Sequence, residues 1–127
     1  MKNGLKVAIP LLIILVLLLV LQSLFFIGYV PTASMEPTLK EGSFIVAERK
    51  YSELKRGDVI VFRHDGSLMV KRIAAVQGDT VLVRDEPLIV PRNCFYVLGD
   101  NESHSVDSRF WEYPFVREND ILAKVFL

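Results

Sequence analysis

Two hydroxyls, Thr32 and Ser34, stand two residues apart in the stretch Pro31-Thr32-Ala33-Ser34-Met35-Glu36-Pro37-Thr38-Leu39. Pro31 and Pro37 bracket them, and each proline fixes its own φ. A serine held in such a turn could be an exposed nucleophile. It could equally be an ordinary turn or capping serine, because Ser and Thr bond readily to nearby backbone. The second candidate is Lys71. Alternation along Leu68–Val76 puts Leu68, Val70, Arg72, Ala74 and Val76 on one face and Met69, Lys71, Ile73 and Ala75 on the other. The lysine therefore falls in an otherwise apolar row. It could snorkel to solvent or guard a sheet edge. If buried, its charged form is disfavoured, at about 1.4 kcal/mol per unit of lowered pKa. A neutral amine near physiological pH is a competent general base. The third candidate is the polar loop Gly99-Asp100-Asn101-Glu102-Ser103-His104-Ser105-Val106-Asp107-Ser108-Arg109. Asp107 and Arg109 could form an ion pair that pins it, or a surface pair worth little.

The elements that must position these groups follow from hydropathy and periodicity. From Val7 to Ile27 the chain is almost wholly apolar, broken only by Pro10, Gln22 and Ser23. As a helix this run spans roughly 31 Å, enough to cross a hydrocarbon core. Lys2 and Lys6 precede it, which puts the N-terminus in the cytoplasm and the rest of the chain outside. A cleaved signal peptide is the alternative, but the apolar core is longer than is usual for one. A boundary follows at residue 28: anchor 1–28, extracytoplasmic domain 29–127.

Beyond Leu39 the pattern changes to period-2 alternation with frequent turn signals. Strands are expected at Ser43–Glu48, Val59–Phe62, Leu68–Val76, Thr80–Arg84, Leu88–Val90, Cys94–Leu98 and Ile121–Phe126. His64-Asp65-Gly66 carries the Asp-Gly signal of a tight hairpin. No amphipathic helix is evident outside the anchor. The fold expected is mainly β: one transmembrane helix, then a small antiparallel barrel or sandwich.

Composition narrows the function. The 127 residues carry 15 basic and 15 acidic side chains, so a nucleic-acid partner, which calls for a basic excess, is not expected. The single cysteine, Cys94, sits in an apolar strand and reads as a small core residue. His64 and His104 lie in turns without ligand partners, so no metal site is expected.

Together the segments resemble the bacterial type I signal peptidases, the membrane-anchored Ser-Lys leader peptidases. Four carry the resemblance, in family order: Ser34-Met35-Glu36-Pro37-Thr38-Leu39; Arg56-Gly57-Asp58-Val59-Ile60-Val61-Phe62; Val70-Lys71-Arg72-Ile73 with Gly78-Asp79; and Gly99-Asp100-Asn101 with Ser105-Val106-Asp107-Ser108-Arg109. The resemblance covers about residues 28–109. It implies Ser34 as nucleophile and Lys71 as general base. It implies the Ser34 backbone N–H and the Thr32 hydroxyl as oxyanion donors, and Ser105 as a hydrogen-bond partner of the lysine amine. Asp107 and Arg109 are the implied pair that shapes the loop. Val30, Met35, Leu39, Ile45, Val61 and Val70 are the implied lining for small side chains at −1 and −3 of an Ala-x-Ala-like cleavage site. No cofactor is implied. The implied partners are preprotein signal peptides, the lipid bilayer and a nearby export translocon, at the plasma or inner membrane. Phe110, Trp111, Tyr113 and Phe115 are either interfacial aromatics or core. The stretch between Gly78 and Cys94 is short where longer members insert a cap domain. The lysine at the base position fits the bacterial type, since the endoplasmic-reticulum relatives use histidine. A relative dedicated to conjugation or pilus maturation, or a non-enzymatic anchored β domain, are the competing readings.

Overall fold

The computed structural model describes residues 2–127. A 23-residue helix, α1 (Lys2–Leu24), leads directly into strand β1 (Phe25–Tyr29). Then come β2 (Phe44–Glu48), β3 (Val59–His64), β4 (Ser67–Val76), β5 (Thr80–Val83), β6 (Glu86–Ile89), β7 (Cys94–Leu98), β8 (Val116–Arg117) and β9 (Ile121–Val125). Outside α1 the only helical pieces among the described residues are two single turns, Glu102–His104 and Glu118–Asp120. The expected strands all form, within two residues of their expected ends.

One seven-stranded sheet runs β1-β2-β9-β3-β4-β7-β8, and its pairs are antiparallel throughout. β5 and β6 form a separate hairpin. The sheet is not closed into a barrel by hydrogen bonds: β1 and β8 are its two edges. Asp65 and Gly66, both at positive φ, make the tight β3–β4 turn that the Asp-Gly pair announces.

Both faces of the sheet are covered. The four central residues of β3, Val59 to Phe62, are all buried. Val59 and Val61 pack with Val30, Met35, Ile45, Ala47, Ala123 and Val125. Ile60 and Phe62 pack on the other side with Ile73, Val97, Trp111 and Ile121. A third cluster, including Val90, Cys94 and Phe115, lies beneath the β5–β6 hairpin. Cys94 is buried, as its strand context indicates.

One expectation is corrected, and one open alternative is resolved residue by residue. The apolar run drawn as one span from Val7 to Ile27 is divided at Leu24, and its last residues are β1, paired in register with β2. Residues 25–28, assigned above to the anchor, are thus part of the sheet. Hydropathy measures apolar content and cannot tell a helix from a buried strand. The aromatic and β-branched content of Phe25-Phe26-Ile27-Gly28-Tyr29 is the local strand signal. Among the four aromatics, Trp111 and Phe115 are core residues, while Phe110 and Tyr113 remain exposed. The larger exposed apolar face is on β1 and β2: Phe25, Ile27, Tyr29, Phe44 and Val46, on the strand that continues α1.

Burial predicts where truncation is costly. Phe62→Ala is expected to lower unfolding stability by about 3–5 kcal/mol, read as a shifted urea midpoint at constant slope. Ile89→Ala, on the exposed side of the β5–β6 hairpin, should change it by less than about 0.5 kcal/mol.

Candidate active site

Ser34 sits in the turn after β1, fastened by its own backbone. Glu36 N–H bonds the Ala33 carbonyl and Leu39 N–H the Met35 carbonyl, at 3.1 and 2.9 Å. Lys71 is near the middle of β4, opposite Ile60 of β3. It is only 4% exposed, so of the two readings of a lysine in an apolar row, burial is the one realised. Its Nζ donates to Ser34 Oγ at 2.7 Å. The Thr32 hydroxyl donates to the same oxygen at 3.2 Å. Residues 37 positions apart thus meet in one buried contact because the chain crosses the sheet between them.

Burial lowers the Lys71 pKa from its ordinary value, and the negative charge of Asp107 opposes that shift without cancelling it. Asp107 is itself fully buried. Burial pushes its carboxyl up, but the donors around it win and hold it below the ordinary carboxylate range. These donors are Arg109 Nε at 2.9 Å, the Gly99 N–H at 2.9 Å and the Ser105 hydroxyl at 2.8 Å. The Asp107–Arg109 pair therefore forms, and Asp107 also acts on Lys71 through space.

Ser105 departs from its implied role. Its hydroxyl donates to Asp107 and not to the lysine amine. An ionised carboxylate is the stronger acceptor. Gly99 is needed beside it: a Cβ there would lie 2.1 Å from Ser105 Oγ and 2.7 Å from the Ser34 carbonyl oxygen.

The polar loop also ties the Ser34 turn to β4. Asn101 donates its backbone N–H to the Ser34 carbonyl at 2.9 Å and its side-chain amide to the Ala33 carbonyl at 3.0 Å. Asp100 accepts from Thr38 at 2.6 Å, and from Arg72 Nε and Nη2 at 2.9 and 2.8 Å. Arg72 is the neighbour of Lys71. Asp100, Asn101, Arg72 and Thr38 lie within the motif segments, yet their roles were not assigned from sequence. A carboxylate does not reveal its partner until the fold is known.

A cavity of about 420 Å³ opens beside Ser34 and Lys71. Val30, Met35, Ile45, Val61 and Val70 are among its lining residues. Leu39 is not in the lining; it packs against the same core cluster from elsewhere. Phe26, Gly28 and Tyr29 of β1 and Leu68 and Met69 of β4 complete the wall, and these were missed. Placing 25–28 in the anchor had removed β1 from consideration. A hydroxyl beside a buried amine of lowered pKa, at the end of an apolar cleft, can perform acyl transfer.

The likeness to known proteins agrees in class. The family described as "Signal peptidase, peptidase S26" matches residues 4–90 and 85–127. The chain belongs to this family, among the bacterial type I signal peptidases. The inactive signal peptidase IA of Staphylococcus aureus is 25% identical over 162 aligned residues, covering 100% of this chain and 92% of that protein. The signal peptidase I of Leptolyngbya laminosa is 31% identical, over 67% of this chain and 60% of its own length. The probable signal peptidase I-2 of Synechocystis sp. is 29% identical, over 78% of this chain and 60% of its own.

The sign of the Asp107 shift gives a stability test. A depressed folded pKa contributes stability that is present above the unfolded value, near about 4, and is lost as pH falls through the folded one. Asp107→Asn is expected to cost about 2 kcal/mol at pH 7. It should also flatten the acid limb of unfolding stability below about pH 4. An acid limb identical to that of the parent protein would remove Asp107 from this role.

Proposed function

We propose that this chain is a membrane-anchored serine endopeptidase that removes N-terminal signal peptides from translocated preproteins. The observation that carries the reading is the 2.7 Å contact between the buried Lys71 Nζ and Ser34 Oγ. The neutral amine accepts the Ser34 proton as Oγ attacks the scissile carbonyl. The resulting oxyanion is met by the Ser34 backbone N–H and, after rotation of its hydroxyl, by Thr32. The Lys71 ammonium returns the proton to the leaving amine. A water then gives up its proton to Lys71 and attacks the acyl-Ser34 ester, which releases the new carboxyl terminus and regenerates the serine.

The cavity supports an extended peptide as substrate. It lies between β1, which pairs only with β2, and the Ser67–Lys71 half of β4, which pairs only with β3. Open strand edges offer backbone groups to an added strand, and the apolar lining offers room for small side chains. α1 is long and apolar enough to cross a bilayer, with none of its residues buried by the domain. We assign it the role of anchor, with the Lys2 and Lys6 end cytoplasmic and the domain on the outer side. The exposed β1–β2 face then rests at the lipid interface, near where export delivers precursors.

The name of the Staphylococcus aureus relative favours a second reading, in which the cleft binds signal peptides without cutting them. Binding alone would not require a lysine held at hydrogen-bond distance from the serine. A precursor incubated with the detergent-solubilised protein decides between them. Cleavage after a small residue is expected, with a loss of about a thousandfold or more in both Ser34→Ala and Lys71→Met, each still folded by circular dichroism. Full activity in either variant would end the dyad reading.

The rate should also rise with pH on its acid side. Below the Lys71 pKa the amine is protonated and cannot accept the serine proton; above it the base is free. Because burial lowers that pKa, the rise should finish well short of the range of an exposed lysine. A profile flat between about pH 6 and 9 would count against Lys71 as base.

A further inference from the structure

The far end of the cavity is built by the junction between helix and sheet. Phe26, Gly28 and Val30 alternate inward along β1, and all three line the cavity. Gly28 has no side chain, and the Phe26 ring fills the space one would take. A Cβ on Gly28 would lie 2.6 Å from Phe26 Cε1 and 3.3 Å from its Cζ. A cation also holds the ring. The Arg49 guanidinium carbon lies 5.3 Å from the ring centroid, within cation–π range.

Arg49 is in turn fixed by the end of α1. Its Nε donates to the carbonyls of Gln22 and Phe25, at 2.9 and 3.1 Å, and its backbone N–H to that of Leu24 at 2.8 Å. The last turn of α1 contains no basic residue of its own. Arg49, from the end of β2, satisfies helix-end carbonyls that would otherwise lack partners. One side chain thus both caps the helix and clamps the ring that closes the cavity.

We propose that Phe26 sets which side chain a substrate can present three residues before the scissile bond. This rests on the peptidase reading. Ser34, Thr32 and Lys71 mark where the bond is cut. An extended peptide puts every second side chain on the same side, about 6.6 Å apart. The residue just before the bond faces Met35 and Val30, next to Ser34. The third residue back falls against Gly28 and the ring of Phe26. The ring leaves room for a small side chain and blocks a large one. It is a specificity residue, and Arg49 is the positioning residue behind it.

The test uses two peptide series and the full chain in detergent. One series varies only position −3 through Ala, Val, Leu and Phe; the other varies only position −1. In Phe26→Ala the kcat/KM ratio of −3 Leu to −3 Ala should rise about tenfold or more, the scale on which a hydrophobic pocket discriminates by size. Ratios within the −1 series should stay put. Phe26→Leu should give an intermediate shift, and it decides the matter should Phe26→Ala not fold by circular dichroism. Arg49→Ala should move the −3 ratio in the same direction by less. A −3 ratio that changes by under about twofold, or −1 and −3 preferences that relax together, would overturn the proposal. If the parent protein cuts none of the peptides, the peptidase reading fails. Fluorescence anisotropy of the same labelled peptides then judges Phe26 by the same −3 affinity ratio.

Discussion

A lysine inside a β-sheet is the constraint on which the rest of this structure depends. Lys71 is held in an apolar row between Met69 and Ile73, and its amine touches the Ser34 hydroxyl. Burial alone would drive such a group neutral by disfavouring its charged form. The nearby charge of Asp107 pulls the other way. Burial is the larger of the two influences, so the amine's pKa stays below its ordinary value. Asp107 can oppose burial only because it remains ionised in the core. Arg109, Gly99 and Ser105 supply the donors that keep it so. Ser105 thus bears on the lysine through a carboxylate.

Holding the pair together is a separate problem, because Ser34 and Lys71 belong to different elements. The segment Gly99–Asn101 solves it by bonding to both. Asn101 grips the carbonyls of Ala33 and Ser34, while Asp100 joins Thr38 on the nucleophile turn to Arg72 on β4. Every one of these contacts uses a backbone carbonyl or a carboxylate with a fixed partner. Reacting groups need placement within fractions of an ångström, and short side chains bonded to backbone provide it better than long free ones. Among the described residues no buried side-chain nitrogen or oxygen lacks a partner, so the polar cluster sits in the core without leaving a desolvated group unmatched.

Much of this arrangement was legible in the sequence, for identifiable reasons. Strand alternation is a two-residue rule, so it placed Lys71 in the apolar row without tertiary information. The Asp-Gly turn and the β-branched runs marked the β3–β4 hairpin, and the motif segments marked Ser34 and the polar loop. What stayed hidden were choices of partner. The sequence does not say which polar group the Ser105 hydroxyl meets, and only packing decides that Asp107 accepts its hydrogen bond. Leu39 has the composition of a cavity wall but points its bulk to the core cluster. Trp111 and Phe115 are as aromatic as an interfacial belt and are buried instead. The largest miss, β1, came from reading apolar content as helix where a strand continues a helix without a break.

That missed strand joins the separate parts of the molecule. β1 begins one residue after α1 ends. Its five residues extend about 17 Å, and only four more separate Tyr29 from Ser34. The serine therefore lies within roughly 33 Å of chain from the last helical residue, even at full extension. No flexible linker intervenes, so a helix fixed in a bilayer fixes the height of the site above it. The same alternation gives β1 two jobs at once. Phe25, Ile27 and Tyr29 face outward and are exposed, while Phe26, Gly28 and Val30 face the cavity. A one-residue slip of β1 against β2 would put the outward row in the cavity and the inward row in solvent. Arg49, bonded to the end of α1 and stacked on Phe26, is placed to prevent that slip. The register of this one edge strand thus sets both which row of side chains faces outward and the shape of the cleft beside Ser34.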